Sequence, residues 1–206
     1  AIFVTFTGRL MKFCALGNKA GGSPMLTRNH SAKVLLLPGE VLLFDCGAGT
    51  QKRLLEAKVS RSSTDRIFIS HLHVDHVLGL IALLATFSSD KRTRPVYLTG
   101  PHGLRELLDC SLRMMDVYLR YDLEIHELTT HYSGRIAETD TYTVEAQMLD
   151  HRVDSFGYRV EEKTQVNIDM DKARECGLRE GVMVGRLKRE GQIQLDDGTV
   201  ITLKDV

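Results

Sequence analysis

Residues 70–80 read SHLHVDHVLGL, which places His71, His73, Asp75 and His76 within six consecutive positions. RIFIS (66–70) leads into the cluster, and VLGLIALLATFSS (77–89) follows it. A short run of this kind, with Ile67, Phe68 and Ile69 at its centre, predicts a strand buried on both faces. The longer run predicts a buried helix. The histidines therefore fall where a strand passes into a helix, and loops at the carboxyl ends of strands are where open α/β sheets place ligand sites. His71 and His73, two apart at the end of an extended strand, project to one face. Asp75 and His76 follow where the chain turns toward the helix, and Gly79 permits close packing just beyond. Imidazole and carboxylate donors suit zinc or manganese, unlike the thiolate sets of structural fingers. Four donors this close cannot all serve one ion without strain, whereas two neighbouring ions could share them.

Outward from the cluster, short apolar runs alternate with turn signals. IFVTF (2–6), KFCALG (12–17), AKVLLL (32–37) and EVLLFDCG (40–47) read as strands, with Pro38-Gly39 as a hairpin turn. The first two are rival candidates for the opening strand. AGTQKRLLEAKV (48–59) reads as a helix that turns Leu54, Leu55 and Val59 inward. RPVYLTG (94–100) is a strand, and PHGLRELLDCSLRMM (101–115) is a helix with Pro101 in its first turn. YDLEIHEL, TYTVEAQML and FGYRVEE supply further strands. The alternation predicts an α/β sandwich with helices outside the sheets. From residue 161 the chain is more charged and poorer in hydrophobes. It holds one short helix (169–176) and a hairpin turning at Asp197-Gly198. The expected division is a core over 1–160 and an arm over 161–206.

Composition narrows the function classes. Lys plus Arg and Asp plus Glu number 27 each in 206 residues, so the formal net charge is zero. A protein that coats nucleic acid through bulk charge is excluded, and a local basic patch is not. The four cysteines are far apart and form no CxxC pair, which argues against a disulfide frame or a cysteine zinc site. No apolar run is long enough to span a bilayer, and the opening residues do not read as a signal peptide. A cytoplasmic location is the expectation.

HLHVDH matches the HxHxDH signature of the metallo-β-lactamase fold superfamily, and the surrounding stretches narrow the match. FDCGAGTQ (44–51), IFISHLHVDH (67–76), LTGPHGLREL (98–107), LDHRVDSFGYRVEEK (149–163) and GRLKREGQIQLDDGTVI (185–201) resemble, in order, segments of the ribonuclease Z family, which processes tRNA 3′ ends. The resemblance covers roughly the N-terminal two-thirds of that family. It implies an αβ/βα sandwich, incomplete at its C-terminus, with a flexible tRNA-gripping arm. It implies that His71, His73 and His151 ligate one zinc ion and Asp75 and His76 a second, with manganese as an alternative metal. Asp75 would also accept a proton, and Asp45 would support the site from behind its ligands. Arg186, Lys188 and Arg189 form the sharpest basic spot of the arm. The implied activity is removal of the 3′ trailer from precursor tRNA by a homodimer.

The chain departs from the family pattern in several places. No GDT-like segment and no later metal histidine occurs in these residues, which leaves the second ion with Asp75 and His76. Val74 and Ala48 stand where the family has glycine and glutamate. GNKAGGSP (17–24) is a loose version of a family loop, and REGVMVG (179–185) has Gly181-Val182 in place of a Gly-Pro. Two other readings remain open. One is a hydrolase of a small phosphodiester or thioester, and the other is a catalytically impaired tRNA-binding fragment.

Overall fold

In the computed structural model of the chain, the residues described are 2–5, 11–19, 21, 28–163, 168–178 and 181–206. Pro38 and Gly39 turn the chain between β3 (Ala32–Leu37) and β4 (Glu40–Phe44), which pair antiparallel. Gly39 has a φ of +79°, a conformation open to glycine at little cost. Both candidates for the opening strand are strands: β1 (Ile2–Thr5) pairs antiparallel with β2 (Lys12–Gly17), and β2 with β3. Beyond β4 the sheet becomes parallel through β5 (Thr64–Phe68), β6 (Val96–Pro101) and β7 (Leu123–Leu128). The strand order is sequential from β1 to β7. The parallel connections are made by helices α1 (Thr50–Glu56), α2 (Val74–Ser89) and α3 (Leu104–Met114), as parallel pairing requires.

Side-chain alternation sorts the two faces of this sheet. Val41, Leu43, Ile67 and Ile69 join Leu54, Leu80, Leu83, Leu84, Leu104 and Leu108 of the helices in one hydrophobic core. Phe44 and Phe68 point the other way, stack at 5.1 Å, and meet the ring of Tyr158 at 6.0 and 5.3 Å. Tyr158 belongs to β10 (Phe156–Glu162), which lies beside β9 (Tyr142–Met148) and β8 (Ser133–Glu138) in a second sheet. Each fully buried leucine or phenylalanine contributes about 1.5–3 kcal/mol, so burial on both faces of this sheet stabilises the fold.

Several expectations are corrected. Leu54 is fully buried but Leu55 is 58% exposed, because adjacent helix residues do not share a face. Pro101 ends β6, and α3 begins at Leu104 behind Gly103. β5 stops at Phe68, so His71 and His73 lie in the connection after it and not on the strand. α2 begins at Val74 and takes Asp75 and His76 into its first turn. β8 was unforeseen, since SGRIAE shows no apolar alternation.

The chain divides into two compact units, one of residues 1–137 with 144–160 and one of residues 138–143 with 161–206. The second unit contains α4 (Met170–Glu175), α5 (Val182–Glu190) and the antiparallel pair β11 (Gln192–Gln194) and β12 (Val200–Thr202). Asp169 caps α4 by accepting from the backbone N–H groups of Asp171 and Lys172. The hairpin turns at Asp197-Gly198 as its sequence predicts, with Gly198 at a φ of +85°. Although hydrophobes are sparse here, Ala173, Leu178, Leu187, Ile193 and Ile201 gather into a buried cluster. Arg179 and residues 20 and 22–24 of the GNKAGGSP loop lie outside the described residues. Among the described residues, no helix is long and apolar enough to cross a membrane.

Candidate metal centre

The first turn of α2 is fastened to the loop after β4 by backbone hydrogen bonds. Asp45 donates its N–H to the Phe68 carbonyl (2.8 Å), Cys46 to His76 (2.7 Å) and Gly79 to Cys46 (2.8 Å). From the start of β3, Ser31 donates to the Asp75 carbonyl at 3.1 Å. Two glycines make this approach possible. A Cβ on Gly47 would stand 2.3 Å from the Asp75 carbonyl oxygen, and one on Gly79 would stand 2.2 Å from the Gly47 oxygen. Gly79 thus meets its sequence expectation. The loop between β9 and β10 is tied to the same place, because Phe156 N–H donates to the Ser70 carbonyl (2.9 Å) and the Tyr158 hydroxyl to the Ile69 carbonyl (2.7 Å).

These ties bring the expected donors together. The His71 ring centroid lies 4.5 Å from that of His73, 4.0 Å from His76 and 5.1 Å from His151. His73 and His151 are 5.7 Å apart. Asp75 Oδ2 accepts from the Gly21 N–H at 2.7 Å and lies 3.5 Å from His76 Nε2. Asp45, at a φ of +58° and 5% exposed, faces the cluster from behind. Its Oδ1 accepts from the Ser70 N–H (2.9 Å) and hydroxyl (2.8 Å), while Oδ2 accepts from the Ser31 hydroxyl (2.8 Å) and meets His76 Nδ1 at 2.7 Å.

The proton positions follow from this network. An ionised carboxylate only accepts, so His76 Nδ1 donates to Asp45 and, in the neutral ring, leaves the lone pair on Nε2. Ser70 has one hydroxyl proton and gives it to Asp45, so it accepts from His71 Nδ1 at 3.0 Å. His71 then carries its lone pair on Nε2, which accepts from His73 Nδ1 at 3.0 Å. The His73 lone pair falls on Nε2 by the same logic. One buried aspartate thus sets three imidazole tautomers, the usual way that groups behind the ligands prepare histidines for a metal.

Electrostatics agree with this assignment. Burial, and next the neighbouring His76 and His73 rings, push His71 down to about 4, so it is neutral at pH 7. Burial alone would raise the Asp45 carboxyl, but hydrogen bonds from His76 and Ser70 outweigh it and hold the group below its ordinary value. Burial likewise opposes ionisation of Asp75, while the Gly21 N–H and other hydrogen bonds keep it ionised.

As they stand, no three His, Cys, Asp or Glu among the described residues are arranged to hold an ion. His71 Nε2 and His73 Nδ1 are hydrogen-bonded to each other. The donor set nevertheless fits a borderline divalent cation in its chemistry. His76 Nε2 and the Asp75 carboxylate stand 3.5 Å apart, an imidazole nitrogen beside a carboxylate oxygen, the donor types that such a cation takes. Ser31, Ser70 and Tyr158 were not anticipated from the sequence. Tyr158 left one usable signal, since a buried tyrosine needs a partner for its hydroxyl. A serine before a metal-type histidine left none.

Arg186, Lys188 and Arg189 all lie on α5. Arg186 donates to both carboxylate oxygens of Glu190 at 3.0 Å. Lys188 and Arg189 are exposed in the last turn, where cations also favour the helix dipole. Lys163 and Arg174, basic residues of the same region, pair with Glu138 and Asp171.

A family model described as Anti-Pycsar protein Apyc1 matches residues 11–174. Ribonuclease Z of Streptococcus mutans is 38% identical over 201 residues, 95% of this chain and 65% of that protein. Human tRNase Z, short form, superposes with a TM-score of 0.67 at 34% identity, over 73% of this chain and 64% of that one. A metallo-β-lactamase fold protein of Bacillus subtilis, 18% identical, superposes with a TM-score of 0.56 over 73% of this chain and 62% of its own, a likeness of fold alone. The fold is the metallo-β-lactamase fold. The chain spans less than two-thirds of the length of these relatives.

Proposed function

Because the chain belongs to the metallo-β-lactamase-fold family described as Anti-Pycsar protein Apyc1, and resembles ribonuclease Z along nearly all of its length, we propose that it is a metal-dependent phosphodiesterase that removes the 3′ trailer from precursor tRNA. The observation that carries this reading is the convergence of four imidazoles and the Asp75 carboxylate in front of a buried aspartate that sets the tautomers of three of them.

His71, His73 and His151 would hold one divalent ion, and Asp75 and His76 a second, with zinc or manganese as the matching metals. When bound, such ions lower the pKa of water and neutralise charge on phosphoryl oxygens. Asp45 holds the His76 Nδ1 proton, and Ser70 relays the same orientation to His71. Asp75, kept ionised by its hydrogen bonds, would accept a proton from the attacking group. Lys188 and Arg189 on α5 are available to tRNA phosphates, with Arg186 joining at the cost of its Glu190 pair. We further take the protein to act in the cytoplasm as a homodimer.

Metal content and precursor-tRNA cleavage, measured on the same preparation with zinc or manganese supplied, test this. Two ions per chain with trailer removal, and loss of cleavage by at least a hundred-fold in His71→Ala, are expected. Two ions without hydrolysis of any phosphodiester would turn the reading toward tRNA binding alone. A second reading, a hydrolase of small phosphodiesters, is favoured by the extent of the family match, which ends at residue 174 and leaves out α5 and the hairpin. Salt discriminates the two. Phosphate contacts release counterions, so apparent affinity for precursor tRNA should fall steeply between low and physiological salt. Hydrolysis of bis(p-nitrophenyl) phosphate should scarcely respond, and an equally flat response for tRNA favours the small substrate.

A further inference from the structure

Lys33 is the one charged residue of β3, whose sequence is AKVLLL. It stands in register with Phe44 of β4 and so shares the face on which Phe44 meets Phe68 and Tyr158. The neighbouring Val34 turns the other way, into the main core. An ammonium carried on that inner face needs an anion to offset its lost hydration.

The anion it reaches is the buried aspartate of the metal centre. Lys33 Nζ donates to the Ser31 hydroxyl at 2.5 Å and stands 3.9 Å from Asp45 Oδ2. An ammonium only donates, so the Ser31 oxygen accepts from it and gives its own proton to Asp45 at 2.8 Å. Asp45 has no site left for a direct bond to the lysine. Its oxygens already take the Ser70 N–H, the Ser70 hydroxyl, the Ser31 hydroxyl and His76 Nδ1, and a carboxylate offers about four lone-pair sites. None of these donors brings a positive charge, since His76 is in its neutral form. Asp45 is 5% exposed, and a charge so buried is costly unless a cation faces it. In the metal-free protein that cation is Lys33.

We propose that Lys33 is the resident counter-ion of Asp45: it offsets the buried charge before a metal ion arrives and opposes the ion once it binds. The inference rests on the metal reading above, and Lys33 acts in it as a positioning residue, through Ser31 and Asp45. The ammonium and the ion held by His76 lie on opposite sides of one carboxylate, and like charges repel. Removing the ammonium leaves Asp45 unbalanced in the metal-free protein and removes a repulsion from the metal-bound one. Ser31 keeps its aim without the lysine, because a carboxylate is a stronger acceptor than a neutral group. A variant without the charge is therefore less stable when empty and binds metal more tightly. A lysine that merely propped the strand would, when lost, lower both.

The test is equilibrium binding of Co2+ or Zn2+ to the full chain, read by competition with a chelator, with melting of the metal-free protein alongside. Lys33→Met removes the charge and the donor, Lys33→Gln removes the charge alone, and Lys33→Arg keeps it. Both charge-free variants should bind metal about three- to ten-fold more tightly than the wild type. Without metal they should melt about 2–4 °C lower, and Lys33→Arg should match the wild type in both respects. If Lys33→Met does not fold, Lys33→Gln decides. Affinity that is unchanged or weaker in the charge-free variants overturns the proposal whatever the melting shows, and so does a Lys33→Arg that binds as tightly as Lys33→Gln. A wild type that takes up no metal sinks the metal reading and the proposal with it, an outcome seen before any variant is made.

Discussion

Asp45 organises the site because it can only accept hydrogen bonds, and each donor that turns toward it has its tautomer or rotamer chosen. Asp45→Asn separates this from bulk and backbone effects. Asparagine tolerates the φ of +58° at this position, so the fold should persist. Its amide, however, can present N–H to His76 Nδ1 and drive the ring proton onto Nε2. Metal affinity, read by competition with a chelator, should fall about ten- to a hundred-fold. Asp45→Ala adds the strain of a left-handed alanine and leaves buried donors unpaired, and should cost about 2–4 kcal/mol in urea unfolding. An Asn variant with unchanged affinity would show that the carboxylate is merely structural. The histidine cluster and Asp45 were legible in the sequence as motif positions. The relay through Ser70 was not, because one hydroxyl between two rings has no pattern in a linear chain.

At the scale of elements, glycine shows how position decides the sign of one substitution. Gly79 lies within α2, and a methyl there would stand 2.2 Å from the Gly47 carbonyl, which is backbone and cannot swing aside. Gly185 lies within α5 with nothing inside 4 Å of its would-be Cβ. Alanine is the better helix former by about 0.8–1.0 kcal/mol, so Gly185→Ala should stabilise its helix by up to about that much. Gly79→Ala should instead destabilise by about 1–3 kcal/mol and shift Asp75 and His76, since the contact that fails sits one turn behind them. Urea denaturation of the pair, with metal binding for Gly79→Ala, checks both signs. α5 itself was missed from sequence because Gly181 and Gly185 punctuate it, and SGRIAE was missed as β8 for want of alternation. Long runs such as VLGLIALLATFSS were read correctly as helix. Their burial is intrinsic, and the shorter pieces depend on neighbours.

For the whole molecule, the two units have separate hydrophobic clusters, and stability need not be shared evenly between them. Leu187 is fully buried in the second. Leu187→Ala should cost about 2–5 kcal/mol. It should strip hydrogen-exchange protection from α5, β11 and β12 while amides of β4, β5 and β6 keep theirs. Equal loss in both sets would mean that the units unfold as one.

The order of strands and helices apart from β8 and α5, the turns at Pro38-Gly39 and Asp197-Gly198, and the crowding of metal-type donors at His71, His73, Asp75 and His76 were legible in the sequence, because each rests on near neighbours and on side-chain periodicity. Tertiary structure alone decided which of those donors meet. His151 reaches the cluster only because Phe156 and Tyr158 bind the carbonyls of Ser70 and Ile69. The first turn of α2 reaches the loop after β4 only because Gly47 lacks a side chain. Both depend on groups far apart along the chain, whose approach is set by packing and by the need to satisfy buried backbone, and no local pattern of residues carries that information.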